Sequence, residues 1–255
     1  VDARGAGVPT LITIPLSHFC EKARWGLDHA GISYTERRHA PGFHVLAVRR
    51  VGGDRSVPIL ITGGAVIGDS TDILLWADER AAKGRRLYPE DAATRAEVLA
   101  LEERFDEELG PHVRRAIYFE LLPWPKLTLP MLVHEVPRHQ RLLLPMLYRP
   151  LRGLMRSSMR IDAAGAQRSF DKAMRVIDDV GKLLADGRPF LAGDRFTAAD
   201  IAFAALVAPA VGPPGYAVPI PSLEELPAAA AAQLRRVRDT PAADFCLRMY
   251  QEQRR

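Results

Sequence analysis

The stretch TLITIPLSHFCEKARWGLDHAG, residues 10–31, decides the fold. Its first part, residues 10–16, is short, apolar and β-branched, which predicts a buried strand. Ser17 then stands where a helix N-cap stands. Residues 21–31 read as a helix, with Ala23, Trp25, Leu27 and Ala30 on its apolar side. Gly31 suits the left-handed position that ends a helix. Residues 32–37 predict a second, shorter strand, so the chain opens strand, helix, strand.

Outward from there, Pro41-Gly42 breaks the chain and residues 43–50 predict a short helix. Residues 57–62 and 65–67, joined by Gly63-Gly64, carry a hairpin pattern. Asp69 and Ser70 are cap residues ahead of a helix over 72–82, with Ile73, Leu74, Trp76 and Ala77 as its core side. The order β-α-β, then β-β-α, predicts a thioredoxin-like domain over residues 9–83. Residues 84–89 read as a linker. No strand is predicted after it, so residues 90–255 form an all-helical second domain. Helices are expected over 91–122, kinked at Gly110-Pro111, and over 163–185, 197–211, 223–234 and 242–253. The proline-rich stretch 123–150 predicts short helical pieces joined by turns. The fold class is α/β plus all-α.

Composition agrees with a globular protein. Of 255 residues, 47% are hydrophobic and 26% charged, which are ordinary values. The net charge is +4, but Arg and Glu alternate along most helical stretches. That marks solvated faces, and no nucleic-acid partner is expected. The two cysteines, Cys20 and Cys246, have neither CxxC nor metal-ligand spacing. A reducing, cytoplasmic setting without a metal site is expected. No run of 18 or more apolar residues predicts a transmembrane helix. Residues 1–9 lack the basic start and apolar stretch of a signal peptide.

Four constellations carry chemistry or capping. Ser17-His18-Phe19-Cys20 opens a helix, where unpaired N–H groups and the helix dipole favour an anion. The Ser17 hydroxyl could donate to a bound thiolate, or serve as a plain cap. Cys20 could be a reactive thiol or a small buried hydrophobe. Ser56-Val57-Pro58 places a proline at a strand start. A cis Val57–Pro58 bond would free the Val57 backbone to pair with an extended peptide ligand, whereas a trans bond would make it an ordinary edge. Asp69 and Ser70 could bind an ammonium and a carboxylate at the next helix start, or only cap it. Thr197 and Asp200 have capping-box spacing, flanked by Phe196 and Ile201 as a hydrophobic staple. That last motif is structural.

Taken together, the strand, Ser17-x-Phe19, the Val57-Pro58 strand and Asp69-Ser70 opening a helix resemble the glutathione-binding domain of the cytosolic glutathione transferases, of the serine or omega-like kind. Phe196-Thr197-x-x-Asp200 resembles the capping box of that family's helical C-terminal domain. The resemblance implies glutathione, or another low-molecular-weight thiol, as cosubstrate, no tightly bound cofactor, a role in detoxification and a homodimer. It implies that Ser17 activates the thiol, Phe19 is the aromatic of the motif, and Pro58 is the cis-proline. Val57 would pair with the cysteinyl part of the thiol, and Asp69 and Ser70 would hold its γ-glutamyl group. His44 falls near the cation that meets the glycyl carboxylate, with Arg49 or Arg55 as substitutes. His18 departs from the family's usual proline.

The enzymatic reading is glutathione addition to, or exchange on, a hydrophobic electrophile. Thiol–disulfide exchange through Cys20 is a second reading, and a non-catalytic ligand-binding or interaction protein a third. An acceptor pocket is expected between the domains, walled by His112, Arg115, Tyr118, Phe119 and Trp124; core or subunit contact is the alternative for these residues. The basic, apolar stretch 124–159 could line that pocket, join subunits or touch an anionic membrane. Packed core with snorkelling arginines is the plainer account, and membrane contact is not expected.

Overall fold

The computed structural model describes residues 7–254. Residues 1–6, part of the stretch read against a signal peptide, and Arg255, the end of the second domain, lie outside the described residues.

The first half contains strand β1 (Thr10–Thr13), helix α1 (His18–Ala30), β2 (Thr35–Arg38), α2 (Phe43–Arg50), β3 (Ile59–Thr62), β4 (Ala65–Ile67) and α3 (Ser70–Arg80). The sheet order is β2-β1-β3-β4. β1 runs parallel to β2 and antiparallel to β3, and β3 pairs antiparallel with β4. This is the thioredoxin-like arrangement the element order predicts.

Boundaries differ where proline intervenes. β1 stops at Thr13, because Pro15 cannot donate a ladder hydrogen bond. α1 then starts at His18, directly after its Ser17 cap, and Gly31 closes it in the left-handed conformation at φ 72°. Leu11, Ala23, Leu27, Leu60, Ile73 and Ala77 form the core between the sheet and helices α1 and α3.

The rest is helical: α4 (Ala92–Arg104), α5 (Gly110–Leu121), α6 (Pro125–Leu132), α7 (Arg138–Ser158), α8 (Ala163–Leu183), α9 (Ala198–Val211), α10 (Ala228–Arg238) and α11 (Pro241–Gln253). Among the described residues no strand follows Ile67. The kink expected at Gly110-Pro111 takes the form of a π-turn over Phe105–Leu109 between α4 and α5. The expected helix over 223–234 begins later, at Ala228 after Pro227.

The stretch 123–150 is not a set of short pieces. α7 runs for 21 residues, straight through Pro145 and Pro150. Both prolines are exposed, so water can satisfy the carbonyls they leave unpaired. The stripe of Gln140, Leu144, Tyr148 and Met155 on the opposite side is buried and holds the helix in place.

Every residue of α9 is buried, which makes it the central post of the helical half. Asp200 fixes its start. It accepts hydrogen bonds from the Thr197 N–H at 2.7 Å, the Thr197 hydroxyl at 2.9 Å and the Leu191 N–H at 2.8 Å.

The two halves are locked by buried polar contacts. Lys22 on α1 is fully buried, with its Nζ 2.9 Å from Glu102, 2.6 Å from Asp106 and 2.8 Å from the Thr71 hydroxyl. Arg254 reaches back to Glu21 at 2.9 Å and Asp28 at 2.7 Å. Leaving such a buried charge without its partner would be strongly destabilising.

Candidate functional site

Three segments converge at one edge of the sheet. β1 ends there and turns through Ile14–Leu16 into Ser17. The β1–β3 register pairs Ile12 with Ile59, which puts Val57-Pro58 beside the same edge. The β3–β4 register pairs Leu60 with Ile67, so the chain continues from β4 to Asp69 and Ser70 alongside. Chain direction alone brings the candidate thiol-binding residues together.

Ser17 is the N-cap of α1, its Oγ accepting the Cys20 N–H at 3.3 Å. That cap uses a lone pair and leaves the hydroxyl proton for another acceptor. The Val57–Pro58 peptide is cis, and the β-ladder begins two residues later at Ile59. Ser17 and Val57 both border a cavity of about 400 Å³, together with His18, His44, Arg55 and Arg114. α7 and its C-cap Met159 close the far side, with Leu151, Leu154 and Met155 from the helix. No Asp or Glu is in its walls among the described residues, so the cavity is electropositive.

Asp69 caps α3, its Oδ1 accepting the Thr71 N–H at 2.7 Å. Ser70 is buried. Neither borders the cavity itself; they lie along the sheet edge beyond Val57. Phe19 faces away from the cavity, into the helical half. A Cβ on Gly110 would lie 2.7 Å from its ring, so this contact requires glycine at the start of α5.

Two expected roles change on the structure. His44 is not available as a cation. Its Nδ1 accepts the Gly42 N–H at 3.1 Å and its Nε2 lies 3.1 Å from the Arg55 carbonyl. That pairing fits the neutral ring, and burial lowers its pKa. Arg55 lines the cavity, while Arg49 is exposed outside it. Cys20 is fully buried. Burial pushes its thiol pKa up, although Arg24 and then the Ser17 hydroxyl pull the other way. Cys246 is also buried and free.

The expected acceptor wall is divided. Tyr118 borders the 400 Å³ cavity. Phe119 and Trp124 line a neighbouring groove of about 170 Å³, which Tyr118 also borders. His112 and Arg115 turn toward α8: the His112 ring is 3.2 Å from the Ser169 hydroxyl, and Arg115 donates to it at 3.0 Å and to the Met159 carbonyl at 2.9 Å. The charged residue of α5 that lines the cavity is Arg114, which the sequence reading missed. Its signal was its spacing: Arg114 is four residues before Tyr118, on the same helix face.

His18 stands next to Ser17 in the cavity wall. It is 3% exposed, and its Nε2 has no hydrogen-bond partner. Burial, reinforced by nearby Arg114, lowers its pKa to about 3. A hydrogen bond to the Gly110 backbone opposes that shift. His18 is therefore neutral at physiological pH. Among the described residues no cluster of three or more His, Cys, Asp or Glu could hold a metal ion, and no helix is long and apolar enough to cross a membrane.

Comparisons with known proteins place this fold. The chain resembles a crystallised β-etherase, LigF, from Sphingobium sp. strain SYK-6 at 17% identity and TM-score 0.61, over 95% of this chain and 99% of that one. It resembles a theta-class glutathione S-transferase from Xanthomonas axonopodis pv. citri, solved with glutathione bound, at 21% identity and TM-score 0.58, over 94% and 97%. A Burkholderia graminis glutathione transferase with two glutathione molecules per subunit aligns at 16% identity and TM-score 0.61, over 96% and 83%. At these identities the likeness is one of fold. A comparison with curated proteins gave no match. The family model for the glutathione S-transferase N-terminal domain matches residues 11–85, and that for the C-terminal domain matches residues 163–238. Together these models span more than half of the chain, which belongs to the glutathione S-transferase superfamily.

Proposed function

We propose that the protein is a serine-type glutathione transferase that joins the glutathione sulfur to a hydrophobic electrophile. The observation that carries this reading is the convergence of Ser17 and the cis Val57–Pro58 segment on one cavity whose walls hold cations and no carboxylate.

In this reading glutathione lies extended along the sheet edge. The Val57 backbone pairs with its cysteinyl part. Asp69 and Ser70 hold the ammonium and carboxylate of the γ-glutamyl end, and Arg55 meets the glycyl carboxylate. The sulfur then sits at the N-terminus of α1, where the Ser17 hydroxyl donates to it. The thiol proton leaves to solvent. The thiolate attacks the electrophilic carbon, a C–S bond forms, and any leaving group departs with its bonding electrons.

The energetics are sufficient. A free thiol near pKa 8.5 must fall by ~2 units, about 2.7 kcal/mol, for the thiolate to dominate near pH 7. A hydrogen bond to a charged group gives about 1.5–3 kcal/mol. The helix N-terminus adds about 0.3–1 kcal/mol.

Exchange chemistry through Cys20 would need an exposed sulfur of lowered pKa, and Cys20 has neither. Calorimetric titration with glutathione, followed by turnover of a chlorodinitrobenzene, tests the proposal. Binding with turnover that Ser17→Ala suppresses is the expected result. Binding without turnover of any electrophile would favour a non-catalytic binder.

A further inference from the structure

Arg114 stands on α5 in the cavity wall, and among the described residues no carboxylate pairs with it. Three other arginines drawn away from solvent are matched. Arg24 holds Glu21 and Glu36, Arg254 holds Glu21 and Asp28, and Arg38 holds Glu36 and Glu135. Arg115, its neighbour in sequence, holds a carbonyl and a hydroxyl. Among the described residues Arg114 has neither an ion pair nor a hydrogen bond. The groups that act on it electrostatically are the Tyr118 hydroxyl and Arg115, and burial disfavours its charged form. A half-buried, unmatched guanidinium is costly to fold around. Beside it, His18 lines the same wall, and among the described residues its buried Nε2 has no hydrogen-bond partner.

The remaining walls sort the ligand. Arg55 stands with Val57 on the thioredoxin-like side, where the carboxylate of a thiol cosubstrate would end. Arg114 belongs to the helical side, opposite the apolar residues Leu151, Leu154, Met155 and Met159 of the α7 end. That half of the cavity offers an apolar surface and one planar cation.

We propose that Arg114 is the anion-binding group of the acceptor subsite, so that the electrophile is an apolar molecule bearing a carboxylate. A carboxylate matches the guanidinium fork in two parallel hydrogen bonds. The inference rests on reading this cavity as the acceptor side of a transferase. It names the class of acceptor that such a transferase takes.

The test is calorimetric binding of meta-nitrobenzoate and its uncharged analogue meta-nitrobenzamide, each with saturating glutathione and without it. The wild type should bind the benzoate tenfold to a hundredfold more tightly than the amide, the range for a charge-assisted hydrogen bond. Arg114→Gln should bring the two ligands level, Arg114→Lys should keep part of the preference, and the melting temperature of Arg114→Gln should not fall. Equal binding of both ligands by the wild type overturns the proposal, whether or not any variant folds. So does a preference that survives in Arg114→Gln, or a loss of glutathione affinity in that variant with benzoate binding intact. Turnover of a chloronitrobenzoate with glutathione is scored separately. Benzoate preference without turnover keeps the Arg114 subsite and removes the transferase reading; turnover without benzoate preference does the reverse.

Discussion

The Tyr216 hydroxyl donates a hydrogen bond to the Leu16 carbonyl at 2.7 Å, across 200 residues of sequence. Tyr216 follows α9, the buried post of the helical half. Leu16 immediately precedes Ser17. The helical domain thus holds the backbone on which the proposed thiol-activating hydroxyl is mounted.

Removing that bond gives the first prediction. Tyr216→Phe leaves the Leu16 carbonyl buried without a donor, which should cost about 1–3 kcal/mol in urea unfolding. Glutathione affinity should weaken as well, because Ser17 loses its anchor. Tyr250 is the control. It is buried in the same half, but among the described residues its hydroxyl has no hydrogen-bond partner, so Tyr250→Phe removes an unsatisfied polar group and should not lower stability, and it should leave affinity unchanged. Equal behaviour of the two variants would remove the positioning role of Tyr216.

Asp200 is expected to matter for folding alone. It satisfies three buried donors around the start of α9 and lies outside the cavity walls. Asp200→Ala should lower stability by about 1–3 kcal/mol, the cost of leaving such donors unpaired, while the folded fraction binds glutathione as before. Calorimetry on the variant at a temperature well below its melting point checks this. Loss of affinity at full stability is the contrary result.

His18 predicts acid sensitivity. Its pKa is about 3 in the folded protein against an ordinary 6.5, mainly through burial. Below pH 6.5 the unfolded chain takes up a proton that the folded protein refuses. The stabilising contribution is therefore complete above pH 6.5 and is lost as pH falls toward 3. The slope reaches about 1.4 kcal/mol per pH unit. His18→Phe removes this group, so its stability should fall less steeply than that of the wild type between pH 6 and pH 4. Parallel curves from urea unfolding across that range would show that His18 is not held neutral.

The sequence made the sheet edge legible because its markers are local. Ser17, Gly31, Pro58 and Asp69 each act on their own neighbours, and the chain direction does the rest. α7 was not legible, because Pro145 and Pro150 read as breaks. Their effect depends on whether the unpaired carbonyls meet water, and exposure is a tertiary property. The same holds on α5. Arg114 and Arg115 look alike in sequence, yet one residue is a turn of about 100° around a helix. That rotation sends Arg115 to α8 and Arg114 into the cavity. Cys20 illustrates the reverse case: its place near a helix N-terminus suggests reactivity, and only its complete burial argues against it.

The proposed mechanism requires Ser17 to lower the pKa of a bound glutathione thiol. The most direct measurement is the ultraviolet thiolate absorbance of the enzyme–glutathione complex, titrated with pH for the wild type, Ser17→Ala and Cys20→Ala. In the wild type and in Cys20→Ala the bound thiol should titrate ~2 units below the free value. In Ser17→Ala the thiol should return most of the way to the free value while glutathione still binds. A lowered pKa that survives in Ser17→Ala, or that vanishes only in Cys20→Ala, would contradict it.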